Sequence, residues 1–194
     1  MAHISSIGAG LFSDLAIAVP STDLTPAAIA ALDTDAEFQA LFATEILSAG
    51  TKSTDTFIRV QNVREFPSMG TPPNIVNVPV YGSATSQQIQ GQSDAPSIEV
   101  QLNYVPADWA AGSVLGDMVG DGVQYVFRFA LLNSEPVAYD SNSTPASGIG
   151  SVANSQYYWV GKVEALQVNP QLTDSNTATV TMSIQSDFFG AFTE

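Results

Sequence analysis

Cysteine is absent, which excludes disulfides and thiolate chemistry. Basic residues are scarce. Lys52, Arg59, Arg64, Arg128 and Lys162 face 19 acids, and the net charge is -14. Proteins that grip nucleic acid cluster Lys and Arg on phosphates, so this chain should repel DNA and RNA. Histidine occurs once, as His3, so a Ser-His-Asp triad would rest on a residue of the terminal arm. No run approaches the roughly 18 uninterrupted apolar residues of a membrane span. The opening MAHISSIGAGLFSDLAIAVP lacks a basic n-region and reads as a mature end or arm without a secretion signal. No HExxH, Walker A or dinucleotide fingerprint occurs, and Gly8-Ala9-Gly10 lacks the second half of such a motif. Charge of either sign is thin at 12% of residues, against about 25% in typical proteins. The surface must therefore be built of Ser, Thr, Gln, Asn and small apolar residues.

What is present is strand alternation, clearest at the end of the chain. Gln156 to Val168 and Thr177 to Gln185 read as one long antiparallel hairpin. In the return strand Ala178, Val180, Met182 and Ile184 point one way, toward a core. Thr177, Thr179, Thr181, Ser183 and Gln185 point the other way. That second face is hydroxyl-rich and uncharged. Ser97 to Tyr104 alternates equally well, with Ile98, Val100, Leu102 and Tyr104 inward and Glu99, Gln101 and Asn103 outward. Val123 to Leu132 is a strand with Val123, Tyr125, Phe127, Phe129 and Leu131 on one face, and Thr54 to Phe66 is a strand that slips between Val60 and Val63.

Two helical stretches are expected. Thr25 caps a first helix with Pro26 at its opening position. A capping box, Thr34-Asp35-Ala36-Glu37, starts a second, in which Phe38, Leu41, Phe42 and Ile46 share a face and Gly50 is the stop. Pro106 to Val119 reads as a short helix carrying Trp109, Leu115 and Met118. The domain reading is an arm over 1–24 and one domain over 25–194. Within that domain 25–50 is helical, and 67–96 and 133–155 are long loops, the first holding a short strand at Ile75 to Tyr81. The fold class is mainly β with packed helix, an antiparallel sandwich or curled, barrel-like sheet.

Catalytic and metal constellations are weak. Glu99 and Glu164 lie on strands and are the carboxylates to weigh for glycoside hydrolysis, but solvated strand positions account for them. Asp33 and Asp35 fit helix capping rather than a calcium loop, and Asp117 and Asp121 fit a turn around Gly120. Trp109, Tyr157, Tyr158 and Trp159 suggest sugar stacking, as in a carbohydrate-binding sandwich, or burial in a core or interface. The reading is a protein that is not an enzyme and takes no cofactor or metal.

The order of elements carries one resemblance. An alternating strand, Ile98–Tyr104, leads through Pro106–Met118 to the aromatic strand Tyr125–Phe129. After an insertion come Trp159–Leu166 and the Thr-rich stretch Thr177–Gly190. This pattern, over about residues 55 to 190, resembles the major tail tube proteins of long, non-contractile-tailed (siphovirus-like) bacteriophages. The helical stretch 26–49 and the loop 133–155 depart from its simplest form.

The resemblance implies a virion protein of the tail, assembled in the host cytoplasm. It implies hexameric rings stacked into a hollow tube, with neighbouring sheets joined into a barrel and arms and loops locking the rings. The implied partners are further copies, other tail proteins (tape measure, terminator, distal tail) and viral DNA that passes without specific binding; no membrane is involved. On that reading Glu99, Gln101, Asn103, Glu164, Thr177, Thr179, Thr181, Ser183 and Gln185 are the candidate channel lining. Phe57, Tyr81, Trp159, Phe188 and Phe189 are candidate interface residues. Tail terminators, decoration proteins and type VI secretion tube subunits are the nearest alternatives.

Overall fold

The computed structural model describes residues 13–21, 24–53, 55–68, 73–79, 81–82, 84–93, 97–131 and 155–193. His3, most of the expected 1–24 arm and the loop 133–154 lie outside them. Strands dominate, as the alternation indicates. They are β1 (Asp14–Ala18), β2 (Thr44–Glu45), β3 (Thr56–Arg59), β4 (Val63–Glu65), β5 (Pro73–Val78), β6 (Gln87–Ser93), β7 (Ile98–Asn103), β8 (Tyr125–Leu131), β9 (Ser155–Asn169), β10 (Thr177–Ile184) and β11 (Phe189–Thr193). The helices are α1 (Pro26–Ala30), α2 (Asp35–Leu41), α3 (Pro106–Trp109) and α4 (Val114–Met118). No helix among the described residues is long and apolar enough to cross a membrane.

One nine-stranded sheet runs β2-β3-β1-β8-β9-β10-β7-β4, with β11 also on β9; β5 and β6 form a separate two-stranded sheet. Every pair is antiparallel except β2–β3, so the large sheet is mixed rather than purely antiparallel. β3 lies next to one end of this order and β4 lies at the other, yet only Val60, Gln61 and Asn62 separate them in sequence. Asn62 makes that corner with φ 60, a conformation that Asn tolerates better than most residues. The single slipping strand expected over 54–66 is therefore two strands on opposite ends of a sheet that curls back on itself. Phe66, just past β4, packs on Phe129 of β8 with ring centroids 5.1 Å apart.

The curl encloses the larger core. Leu15, Ile17, Ile98, Val100, Leu102, Phe127, Trp159, Ala178, Val180 and Met182 meet there. Phe127 stacks on Trp159 at 5.3 Å and 10°. Ile98, Val100 and Leu102 of β7 and the apolar set foreseen in β10 are buried, while Tyr104, just past β7, is partly buried against the core. Trp109, Val114, Leu115 and Met118 of α3 and α4 belong to this core. The expected helix 106–119 is broken between them, where Ser113 caps α4 by accepting from Gly116 N at 3.0 Å.

A second, smaller core lies on the opposite face of the sheet. Ala16, Ala18, Phe57, Val126, Tyr158 and Val160 are covered by Ile29 of α1 and by Phe38 and Phe42 from α2 and its C-cap. Both N-caps form as read: Thr25 Oγ1 accepts from Ala28 N, and the Thr34/Glu37 capping box is complete. The second helix stops earlier than the periodicity suggests. Ile46 donates its N–H to Phe57 O at 2.9 Å, so residues 44–46 follow β3 instead of the helix.

Candidate functional site

The proposed lining residues share one surface. In register, Thr177 faces Asn103, Thr179 faces Gln101 and Thr181 faces Glu99 across β10–β7. On the other flank Thr177 faces Asn169, Thr179 faces Gln167 and Ser183 faces Lys162. Successive side chains of a strand alternate between faces, so these groups stand together on the side opposite the larger core. Thr177, Thr179, Thr181 and Ser183 are half-buried, while Glu99, Gln101, Asn103 and Gln185 are exposed. Glu164 joins them through a bulge. Thr181 pairs with Ala165 and Met182 with Val163, leaving Glu164 as the extra residue. Its Oε1 accepts from Ser183 Oγ at 2.7 Å. At the far flank Glu65 of β4 faces Gln101. The result is an uncharged hydroxyl row bordered by Glu65, Glu99 and Glu164, with Lys162 at one end. No described helix packs over this face, and its half of the sheet belongs to a single core.

One edge of this half is open. The β8–β9 ladder ends where Tyr125 meets Gly161, and Gly120 N then donates to Val163 O at 2.9 Å. From Ala165 to Asn169, β9 pairs with β10 and, among the described residues, with no strand on its other side. Val168 is 39% exposed and Leu172, in the turn beyond, is 104% exposed.

The other half of the sheet is packed on both faces, and its outer face holds an ionic row that the sequence did not reveal. Ala16 of β1 sits in register between Arg59 of β3 and Arg128 of β8. Asp14, two residues earlier on the same face, reaches both: 3.5 Å to Arg59 Nε and 3.3 Å to Arg128 Nη2. Glu45 of β2 lies 3.5 Å from Arg59. Arg128 is fully buried beneath the rings of Phe42 and Phe57, 4.7 and 5.0 Å from its guanidinium carbon. Burial pushes the Glu45 carboxyl above its ordinary range, with Asp14 adding to the rise and Arg59 opposing it. Burial likewise raises Asp35, against hydrogen bonds from Tyr158 and Gln39.

The interface candidates divide. Phe57 and Trp159 are fully buried in the chain's own cores. Phe188 packs on Trp159 at 5.3 Å, and Phe189 on Phe38 at 5.1 Å. Tyr81, in the turn after β5, stands fully exposed. Of the four rings weighed for sugar stacking, Tyr158 and Trp159 are sealed, Trp109 is only 8% exposed and Tyr157 is half-buried.

The acids weighed for metal or turn roles are engaged locally. Asp117 Oδ1 accepts from Gly112 N, and Asp121 accepts from Val123 N and the Tyr125 hydroxyl. No group of three or more ligating side chains arises among the described residues. A recess beside Trp109, Arg59 and Gln61 holds little more than a water molecule, and Ser48 Oγ there already donates to Asp108 at 2.7 Å. Compared with known protein families and with curated protein sequences, the chain matches none.

Proposed function

We propose that this chain is a structural subunit that closes with further copies into rings, stacked as a hollow tube through which viral DNA passes. The observation that carries the reading is the bare face of β7, β10 and β9. A row of threonine and serine hydroxyls, bordered by carboxylates, covers a sheet half whose opposite side packs into the larger core. Such a face holds water and offers a phosphate backbone no cation cluster to grip. The chain's charge of -14 acts in the same direction. The edge at Ala165–Asn169, open among the described residues, offers a row of backbone groups on which another strand can pair, and head-to-tail joining of unlike surfaces yields rings and filaments. The curled, mainly β fold suits the tail tube type that the order of elements resembles.

Electron microscopy of the purified protein at high concentration tests the reading. Hollow tubes about 10 nm wide are expected, from the strand number needed to close a wide barrel. Persistent monomers under all conditions sink it. A second assay places the face. Tubes of Glu99→Lys or Glu164→Lys copies should still form and should retain DNA in a salt-sensitive way. Unchanged DNA behaviour would remove those residues from the channel wall.

A further inference from the structure

The β5–β6 hairpin and the outer edge of β9 have complementary deficits. Among the described residues the hairpin is a sheet by itself, and each of its strands has one edge without a partner strand. An isolated two-stranded hairpin is marginal in water. Ile75, Val76 and Ile89 remain about half exposed, at 56%, 48% and 55%. Val76 and Ile89 are direct partners and so share a face. From Phe66 to Ser93 the sequence contains no charged residue.

The β9 edge mirrors this. Among the described residues it is open from Ala165 to Asn169; it is followed by exposed Leu172, and no charge occurs from Ala165 to Thr173. Edges protected from pairing carry lysine, proline or a bulge, and the stretch from Ala165 to Asn169 has none of them. The bulge at Glu164 lies just before it and Pro170 just after.

The occupant follows from charge and from the pairing of the two surfaces. Bodies carrying -14 repel one another, so copies can meet closely only through neutral segments. These two segments are neutral, apolar and open-edged. Among the described residues they belong to separate sheets of one chain, so each copy can give one and receive the other. We propose that the β5–β6 hairpin of one copy adds to the open β9 edge, Ala165–Asn169, of a second copy. The contact is of the strand-addition kind: main-chain hydrogen bonds join the edges, and the apolar hairpin residues cover Val168 and Leu172. The inference rests on the self-assembly reading and names the contact that would carry it.

The absence of cysteine makes the test direct. Copies with Gln167→Cys are mixed with mass-tagged copies carrying Asn77→Cys on β5 or Gln88→Cys on β6, which sit opposite each other and probe the two outer edges. Ala111→Cys, exposed before α4, is the control. On mild oxidation the 167 copies should cross-link to 77 or 88 copies at least tenfold more than to 111 copies. Tubes without that cross-link overturn the hairpin contact and leave the tube reading standing. The cross-link without tubes supports the contact and counts against the tube. Disulfides dominated by 167–167 pairs overturn the proposal, because the edge would then be joining its own kind. Neither assembly nor cross-link overturns both.

Discussion

The two halves of the large sheet are alike on the inner face and opposite on the outer one. Both send Val, Leu, Ile, Met and aromatic side chains into the same core. Over β3, β1, β8 and the first part of β9, the outer face is a second interior, roofed by α1 and α2 and threaded by the Asp14–Arg128 pair. Over the rest of β9, β10, β7 and β4, the outer face is hydroxyls and carboxylates that no described element covers. The lesson is that one half is finished within the chain, while the other has a packed back and an unused front. Stability should concentrate in the first half and encounter with partners in the second.

Substitutions can break that contrast. The largest effect is expected from Asp14→Asn. Removing the carboxylate strands the fully buried Arg128 beside Arg59, and losing one partner of a buried ion pair costs about 3–5 kcal/mol. Denaturant unfolding measures it, and a loss comparable to a surface change would mean the row carries little.

Gly161→Ala comes next. Gly161 pairs with Tyr125 on one side and Ile184 on the other, and an added Cβ would run into the Ser183 carbonyl. Overpacking of this kind costs about 1–3 kcal/mol, and because the residue belongs to both halves, probes in each should unfold together. Transitions that separate would show the halves to be independent units.

Thr179→Val sits on the front face and should change stability by no more than about 0.5 kcal/mol. A loss as large as that of Gly161→Ala would mean this face is structural.

The smallest effect sharpens the contrast from the other direction. Burial raises the Glu45 carboxyl in the folded state. A raised carboxyl binds its proton more readily folded than unfolded, so its contribution to stability grows as pH falls through the folded value and is absent at neutral pH. Glu45→Gln should therefore melt slightly higher than the parent at pH 7, with the gain shrinking toward mild acid. A lower melting temperature at pH 7 would show that the Arg59 contact outweighs the burial cost.

The front half was legible in the sequence, and the back half mostly was not. Period-two alternation marks β7 and β10 because each has one buried and one exposed face. The strand β1 hides inside an apolar stretch that reads as an arm, since it lies between β3 and β8 with both faces buried and shows no alternation. In β8 the core-facing set holds for Tyr125, Phe127 and Phe129, but Leu131 at the strand's end is 41% exposed; Val126, Arg128 and Ala130 on the other face are buried as well, which alternation alone does not show. Arg128 at a nominally outward position reads as solvated, and its partner lies 114 residues away in sequence. The strand β6 is built of Gln, Ser and Gly with a single Ile, so composition points to loop. Ile46 fits the helical face of α2, but its backbone bond to β3 wins.

β9 also has a mechanical consequence. It is one strand of 15 residues, about 50 Å long, interrupted only by the bulge at Glu164, anchored at one end between β8 and β11 and, among the described residues, free along an edge at the other. A pull along the exposed end is carried straight down the backbone into the ladder beneath the cores. There it loads many hydrogen bonds in shear at once instead of peeling them singly. The strand works as a tie-rod, delivering tension from the free edge to the part of the subunit best built to resist it.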